Sequence, residues 1–188
     1  GNNRLAYHVP YFGENAQRQM DNLFKIVDGS DWIHDRLVLD AELAHSNTKY
    51  KITQTTIQLL NICKARTGMY PIIYSRANWI DAYLGVADLP EVDWWLANYR
   101  YARPYPLYTP ELPPPPLMPK GVTKWLIHQT AEKYSGKSVG VASYYVDSDR
   151  WNGEFEAVMD YFNVDAEPSL SLGEKVDIMW NSKDWLVD

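Results

Sequence analysis

Hydrophobic and polar positions along this chain change period repeatedly, from runs that alternate every second residue to stretches with apolar residues three and four apart. The first kind predicts strands over residues 4–12, 36–43, 70–75, 93–99, 124–130 and 142–151, six in all. The second kind predicts helices between them. Met20, Leu23, Phe24 and Val27 mark an amphipathic helix over 15–27. A longer helix runs from a cap at Ser46 or Asn47 to about Arg66, with Gly68 at its C′ position. A shorter one covers 76–84, and the last covers 153–162. Strands alternating with helices predict an α/β fold with a parallel sheet.

The segment "RLVLDAEL" over 36–43 sharpens this picture. Side chains alternate faces along a strand. Leu37, Leu39, Ala41 and Leu43 therefore share one face, and Val38, Asp40 and Glu42 share the other. The first face is wholly apolar; the second turns acidic toward its C-terminal end. A strand of an α/β barrel has this pattern, with helices over the outside and chemistry at the C-terminal strand ends. An edge strand with one solvated face is the plainer alternative.

The length of 188 residues suits one domain, slightly short of the roughly 200 to 250 residues of a full eight-stranded α/β barrel. Residues 103–121 are Pro-rich, which excludes regular helix or central strand and predicts a long loop on the barrel rim. The expected organisation is a domain over 1–164 followed by a tail or linker over 165–188.

A net charge of −6 without a Lys/Arg stripe argues against nucleic acid and anionic membranes as partners. No apolar run is long enough for a membrane span, and the first residues lack a signal-peptide pattern. The lone Cys63 excludes an internal disulfide and falls among Ile52, Leu59 and Leu60 in a helical pattern, so it reads as core. His8, His34, His45 and His128 show no H-x3-H spacing, and no metal site is expected. Eight Trp and fourteen Tyr stand against four Phe. Such rings join a flat apolar face to a polar handle, which suits stacking on sugars as well as ordinary cores.

"AYHVPYF", "LVLDAEL", "PIIYSRANW", "WWLANY", "WLIHQT" and "VDSDRWNG" occur in the order and approximate spacing of motifs in glycoside hydrolase family 25, the Chalaropsis-type lysozymes. Six motifs in register over residues 5–153 make the chain similar to that family. The resemblance implies a modified TIM-like β/α barrel and N-acetylmuramidase activity on the β-1,4 bond between N-acetylmuramic acid and N-acetylglucosamine. It implies no cofactor, peptidoglycan glycan strands as the partner, and a place of action at the cell wall or outside the cell. The family usually opens with two further strands, the first carrying a D-x-S acid, and neither is visible before Arg4. The expected barrel is therefore incomplete at its N-terminus, made of strands three to eight, with an open edge that a partner chain or a homo-oligomer would cover. His128 stands where the family has Trp, a smaller titratable ring expected to alter sugar stacking.

Glycoside hydrolysis needs a proton donor and a negative group beside an oxocarbenium-like centre. Asp40 and Glu42, two apart on one strand, have Cβ atoms roughly 6.5 to 7 Å apart. Their carboxyls can approach the roughly 5 to 5.5 Å separation of retaining enzymes. Glu42 is the expected general acid, its pKa raised by burial and like charge, with Asp40 ionised and steadying the substrate's N-acetyl group or the cation. The resemblance favours retention with substrate assistance and matches Asp147 to the family's third acid; a turn-forming Asp is the alternative. Tyr7 and His8 match the family's Tyr-His pair, or are core. Tyr74, Asn98, Tyr99 and Gln129 come at their strands' ends, at one end of the barrel, where they would bind substrate; wall packing is the alternative for Tyr74. Spacing leaves open whether Trp94 or Trp95 faces the groove, Trp95 sharing parity with Tyr99. The competing readings are a wall-binding domain that has lost hydrolysis and a glycosidase for another N-acetylated glycan.

Overall fold

The computed structural model describes residues 4–27, 29–32, 34–99 and 114–162. The chain divides into two compact units, residues 1–152 and 153–188. In the first, β1 (Leu5–His8), β2 (Arg36–Asp40), β3 (Ile72–Ser75), β4 (Trp94–Ala97), β5 (Ile127–Ser135) and β6 (Tyr145–Trp151) form one sheet in sequence order. Neighbours from β1 to β5 run parallel, and β6 returns antiparallel to β5. Helices α1 (Ala16–Ile26), α2 (Lys49–Thr67) and α3 (Ala77–Tyr83) make the first three crossovers, from β1 to β4. In the second unit the described residues hold one helix, α4 (Phe155–Tyr161). The expected tail, 165–188, and the first part of the Pro-rich loop, 103–113, lie outside the described residues.

All six predicted strands and four predicted helices are present, with different ends. The strand predicted over 36–43 stops at Asp40, although the Ala41 amide still donates to the Tyr74 carbonyl at 2.8 Å. Beyond it His45 and Ser46 adopt left-handed φ values of 45° and 60°. That turn displaces the α2 cap to Thr48, whose hydroxyl accepts the Lys51 amide. The other end of α2 is as expected: Gly68 sits at φ 81°, where a Cβ would be strained. β5 begins later and runs further than the 124–130 pattern suggested, because it pairs with β6 through a hairpin containing two register shifts.

The parity read in β2 decides where the core lies. Leu37, Leu39 and Ala41 pack outward into a cluster with Met20 and Leu23 of α1 and Ile52, Leu59, Leu60 and Cys63 of α2. Burial pushes the Cys63 thiol up to about 12, which keeps it a protonated core residue. Val38 and Asp40 face the other way, into a hollow lined also by Tyr7 of β1 and Asp147 of β6. First and last strands lining one hollow means that the sheet is curled into an open α/β barrel, with β1 and β6 as its edges among the described residues.

The β5–β6 hairpin turns through a 3₁₀ segment, Gly136–Val139. A Cβ on Gly136 would lie 1.9 Å from the Ser143 carbonyl oxygen, and backbone cannot yield like a flexible side chain. Gly136→Ala is expected to destabilise the protein by more than about 2 kcal/mol, at the level of overpacked or strained sites. Urea unfolding of the two proteins checks this.

Candidate active site

Parallel register sets the site side by side. Asp40 of β2 pairs with Tyr74 of β3, and Tyr74 with Trp95 of β4. Gln129 of β5 lies one strand further on, opposite Asp149 of β6. Asp40, Tyr74, Trp95 and Gln129, together with Tyr7 and Asp147, line a hollow of about 270 Å³ inside the curl. A larger groove of about 560 Å³ lies at the opposite, N-terminal ends of β4 and β5. We place the chemistry in the smaller hollow because it gathers carboxylates, aromatic rings and an amide at the C-terminal side of the parallel strands.

Asp40 is one of two acids in the wall of this hollow, with Asp147. Its Oδ1 is buried without a hydrogen-bond partner, and burial, with the Glu42 charge second, pushes its carboxyl up to about 6. The sequence placed that burial effect on Glu42 and expected an ionised Asp40; the structure gives it to Asp40, which sits deeper on the strand. Glu42 stands just past the strand end. Its charge is felt by Asp40, Tyr74 and Tyr99, so it belongs to the same constellation. One oxygen, Oε1, is held by Arg76 Nη2 at 3.1 Å.

Around the acids the polar groups are locked together. The Tyr74 hydroxyl donates to Gln129 Oε1 at 2.7 Å, and the Tyr99 hydroxyl donates to the same oxygen at 2.5 Å. Two donors on Oε1 fix the amide flip and leave the Gln129 NH₂ as the donor available to a ligand. Burial, then the neighbouring Glu42 charge, raises Tyr74, so that it remains a phenol and a donor. Asp147 is also raised, by burial and then by Glu132. Trp95 meets Tyr74 edge-to-face at 5.3 Å and donates its indole N–H to Asp149 at 2.7 Å.

A comparison with protein-family models matches residues 1–141 to "Glycosyl hydrolases family 25". The chain belongs to glycosyl hydrolase family 25. It is therefore a glycoside hydrolase in class. Solved structures of the family share its fold. A family 25 glycosyl hydrolase from Bacillus anthracis matches with a TM-score of 0.63 at 16% identity, covering 86% of this chain and 68% of that one. A muramidase from Acremonium alcalophilum matches at 0.62 and 15%, covering 84% and 72%. A family 25 lysozyme from Aspergillus fumigatus matches at 0.60 and 20%, covering 82% and 70%. A comparison with curated proteins gave no significant match.

Within this family 25 framework, most residues singled out in the sequence converge and three do not. Tyr7, Asp40, Tyr74, Trp95, Gln129 and Asp147 line the hollow, Glu42 is near enough for its charge to act on Asp40, and Tyr99 reaches the hollow through Gln129. Trp95, not Trp94, is the groove tryptophan; Trp94 is buried in the core. His8 has the opposite parity to Tyr7 and turns toward α1, where its Nε2 lies 3.1 Å from Gln19 Oε1. Asn98 accepts the Leu117 amide, and so anchors the returning Pro-rich segment instead of facing the hollow. His128 is buried on the face opposite Gln129, 3.0 Å from the Asn98 carbonyl, so the small ring there does not line the hollow. Sequence reading missed Arg76 and Asp149. Arg76 was visible as a charge directly after β3, and Asp149 as the i+2 partner of Asp147, the same parity argument that joined Asp40 to Glu42.

Proposed function

We propose that this family 25 hydrolase cleaves the β-1,4 bond between N-acetylmuramic acid and N-acetylglucosamine in peptidoglycan. The observation that carries the proposal is the pairing of Asp40 and Glu42 at the C-terminal end of β2, beside a hollow walled by Tyr74 and Trp95. Glu42 donates a proton to the glycosidic oxygen as the bond from it to the anomeric carbon breaks. The acetamido oxygen of the same sugar bonds to the anomeric carbon, and Asp40 supports the positive charge that develops on that group. Glu42, now a carboxylate, takes a proton from the water that opens the ring intermediate, giving net retention. Arg76 keeps one Glu42 oxygen occupied as an acceptor and leaves the other for the substrate. Asp147 tunes the site from β6, and the free Gln129 NH₂ meets a sugar oxygen.

Such an enzyme acts at the cell wall. Among the described residues no helix is long and apolar enough to cross a membrane. The outer edge of β1 borders an apolar groove of about 670 Å³ against α1, which supports the reading that another strand, or a second copy of the chain, covers it. The competing reading is a wall-binding domain without hydrolysis, which the following test separates.

Digestion of purified peptidoglycan with product analysis by mass spectrometry tests the proposal. Fragments with reducing N-acetylmuramic acid are expected. Reducing N-acetylglucosamine ends would instead assign a different glycan bond. Retention on insoluble peptidoglycan without release of reducing sugar would leave the binding reading.

A further inference from the structure

We propose that Asp149 is a positioning residue that holds the groove tryptophan Trp95 in place for stacking on the substrate sugar. The inference rests on the glycan-hydrolysing reading above and extends it to a residue outside the acidic pair. Trp95 projects from β4 and would otherwise rotate about its side-chain torsions. Two contacts stop it: its indole N–H donates to Asp149 at 2.7 Å across the intervening β5, and Tyr74 meets it edge-to-face at 5.3 Å. Only the first is directional at the far end of the ring. The antiparallel register of β6 on β5 explains how β6 reaches β4, since it sets Asp149 opposite Gln129, on the inward face of the curl.

The tie is also sensitive to charge. Burial and the nearby Asp147 carboxylate push Asp149 up to about 7, against the indole N–H, which favours the ionised form. Asp147 is the charged group on the same face of β6; β5 presents the neutral Gln129 and β4 the neutral Trp95. Arg150 and His128, paired across β6 and β5, have the opposite strand parity. An ionised Asp149 accepts the indole N–H in a charge-assisted bond, and a protonated one accepts it weakly. Trp95 is therefore held most firmly above neutral pH and loosened below it. The expected platform is one whose order rises with pH around neutrality.

Two measurements test this. In ¹⁵N-labelled protein the Trp95 indole N–H resonance, assigned by its loss in Trp95→Phe, should titrate with a midpoint near 7 and stop titrating in Asp149→Asn. A resonance that is insensitive to pH, or that titrates unchanged in Asp149→Asn, overturns the proposal whether or not the protein turns over peptidoglycan. In steady-state assays Asp149→Leu should raise KM about tenfold with a smaller change in kcat, the size of one lost aromatic contact. Trp95→Phe should raise KM similarly, and the double variant should be no worse than the poorer single. Additive effects, or a loss confined to kcat, would mean that Asp149 does not act through Trp95. Absence of any wild-type turnover would reject the catalytic reading and leave the resonance titration to decide the tie.

Discussion

Replacing Glu42 by Gln is expected to abolish turnover of purified peptidoglycan, by at least about 10³-fold, while the far-ultraviolet circular dichroism and the unfolding midpoint stay close to those of the parent. The magnitude follows from losing the group that protonates the leaving oxygen and later activates water, each step typically contributing 10²- to 10⁴-fold. The stability expectation follows from position. Glu42 lies past the end of β2 with about a quarter of its side chain exposed (28%), and its one described ion pair, to Arg76, is itself half in solvent. The amide keeps the size and the acceptor facing Arg76 but cannot donate an acidic proton. Turnover within tenfold of the parent would remove Glu42 from the mechanism. The variant has a second readout: the Glu42 charge contributes to raising Asp40, so the Asp40 carboxyl resonance should titrate at lower pH in the Gln form.

Asp40→Asn should lower kcat by about 10² to 10³, the loss associated with one preorganised electrostatic group at a charged transition state, yet make the folded protein more stable at neutral pH. The sign follows from linkage. The Asp40 carboxyl titrates at about 6 in the folded chain against an ordinary value of 3.8. The native state therefore binds this proton more tightly than the unfolded state does. Below about pH 4 the group is neutral in both and contributes nothing; between about 4 and 6 the folded form becomes progressively penalised; above 6 the penalty is complete. The amide carries no such penalty. Partial solvent access reduces the effect to on the order of 1 to 2 kcal/mol, or a Tm higher by roughly 2 to 6 °C at pH 7 and unchanged near pH 4. Thermal melts of both proteins at the two pH values check it. A variant that is less stable at pH 7 than its parent would contradict the burial of an unpartnered Asp40 oxygen. Loss of activity together with gain of stability is expected where a fold holds a strained functional group.

The α/β class, the strand count and the acidic pair were legible because each rests on a local period. Strand alternation in 36–43 separated Leu37 and Leu39 from Asp40 before any tertiary contact was known, and the core has that division. Element ends were less legible. β2 stops at Asp40, and α2 starts from Thr48, because the chain turns through left-handed His45 and Ser46; that conformation is uncommon for any non-glycine residue, and the enrichment of His in it does not mark a position. His8 and Asn98 matched or neighboured motif residues yet turn away from the hollow, since adjacent strand positions face opposite sides and a motif does not record which side each one takes.

Sequence alone determined that this chain is an α/β protein of the family 25 pattern with a carboxylate at the end of one strand and a second two residues on, because side-chain alternation is a property of the backbone itself. Only the tertiary structure decided which of them is the buried acid, which tryptophan lines the wall, and that Arg76 and Asp149 are their partners. Those outcomes depend on the curl of the sheet and the register between strands far apart in sequence, which bring β2, β4 and β6 around one small volume and set how much water each carboxylate retains.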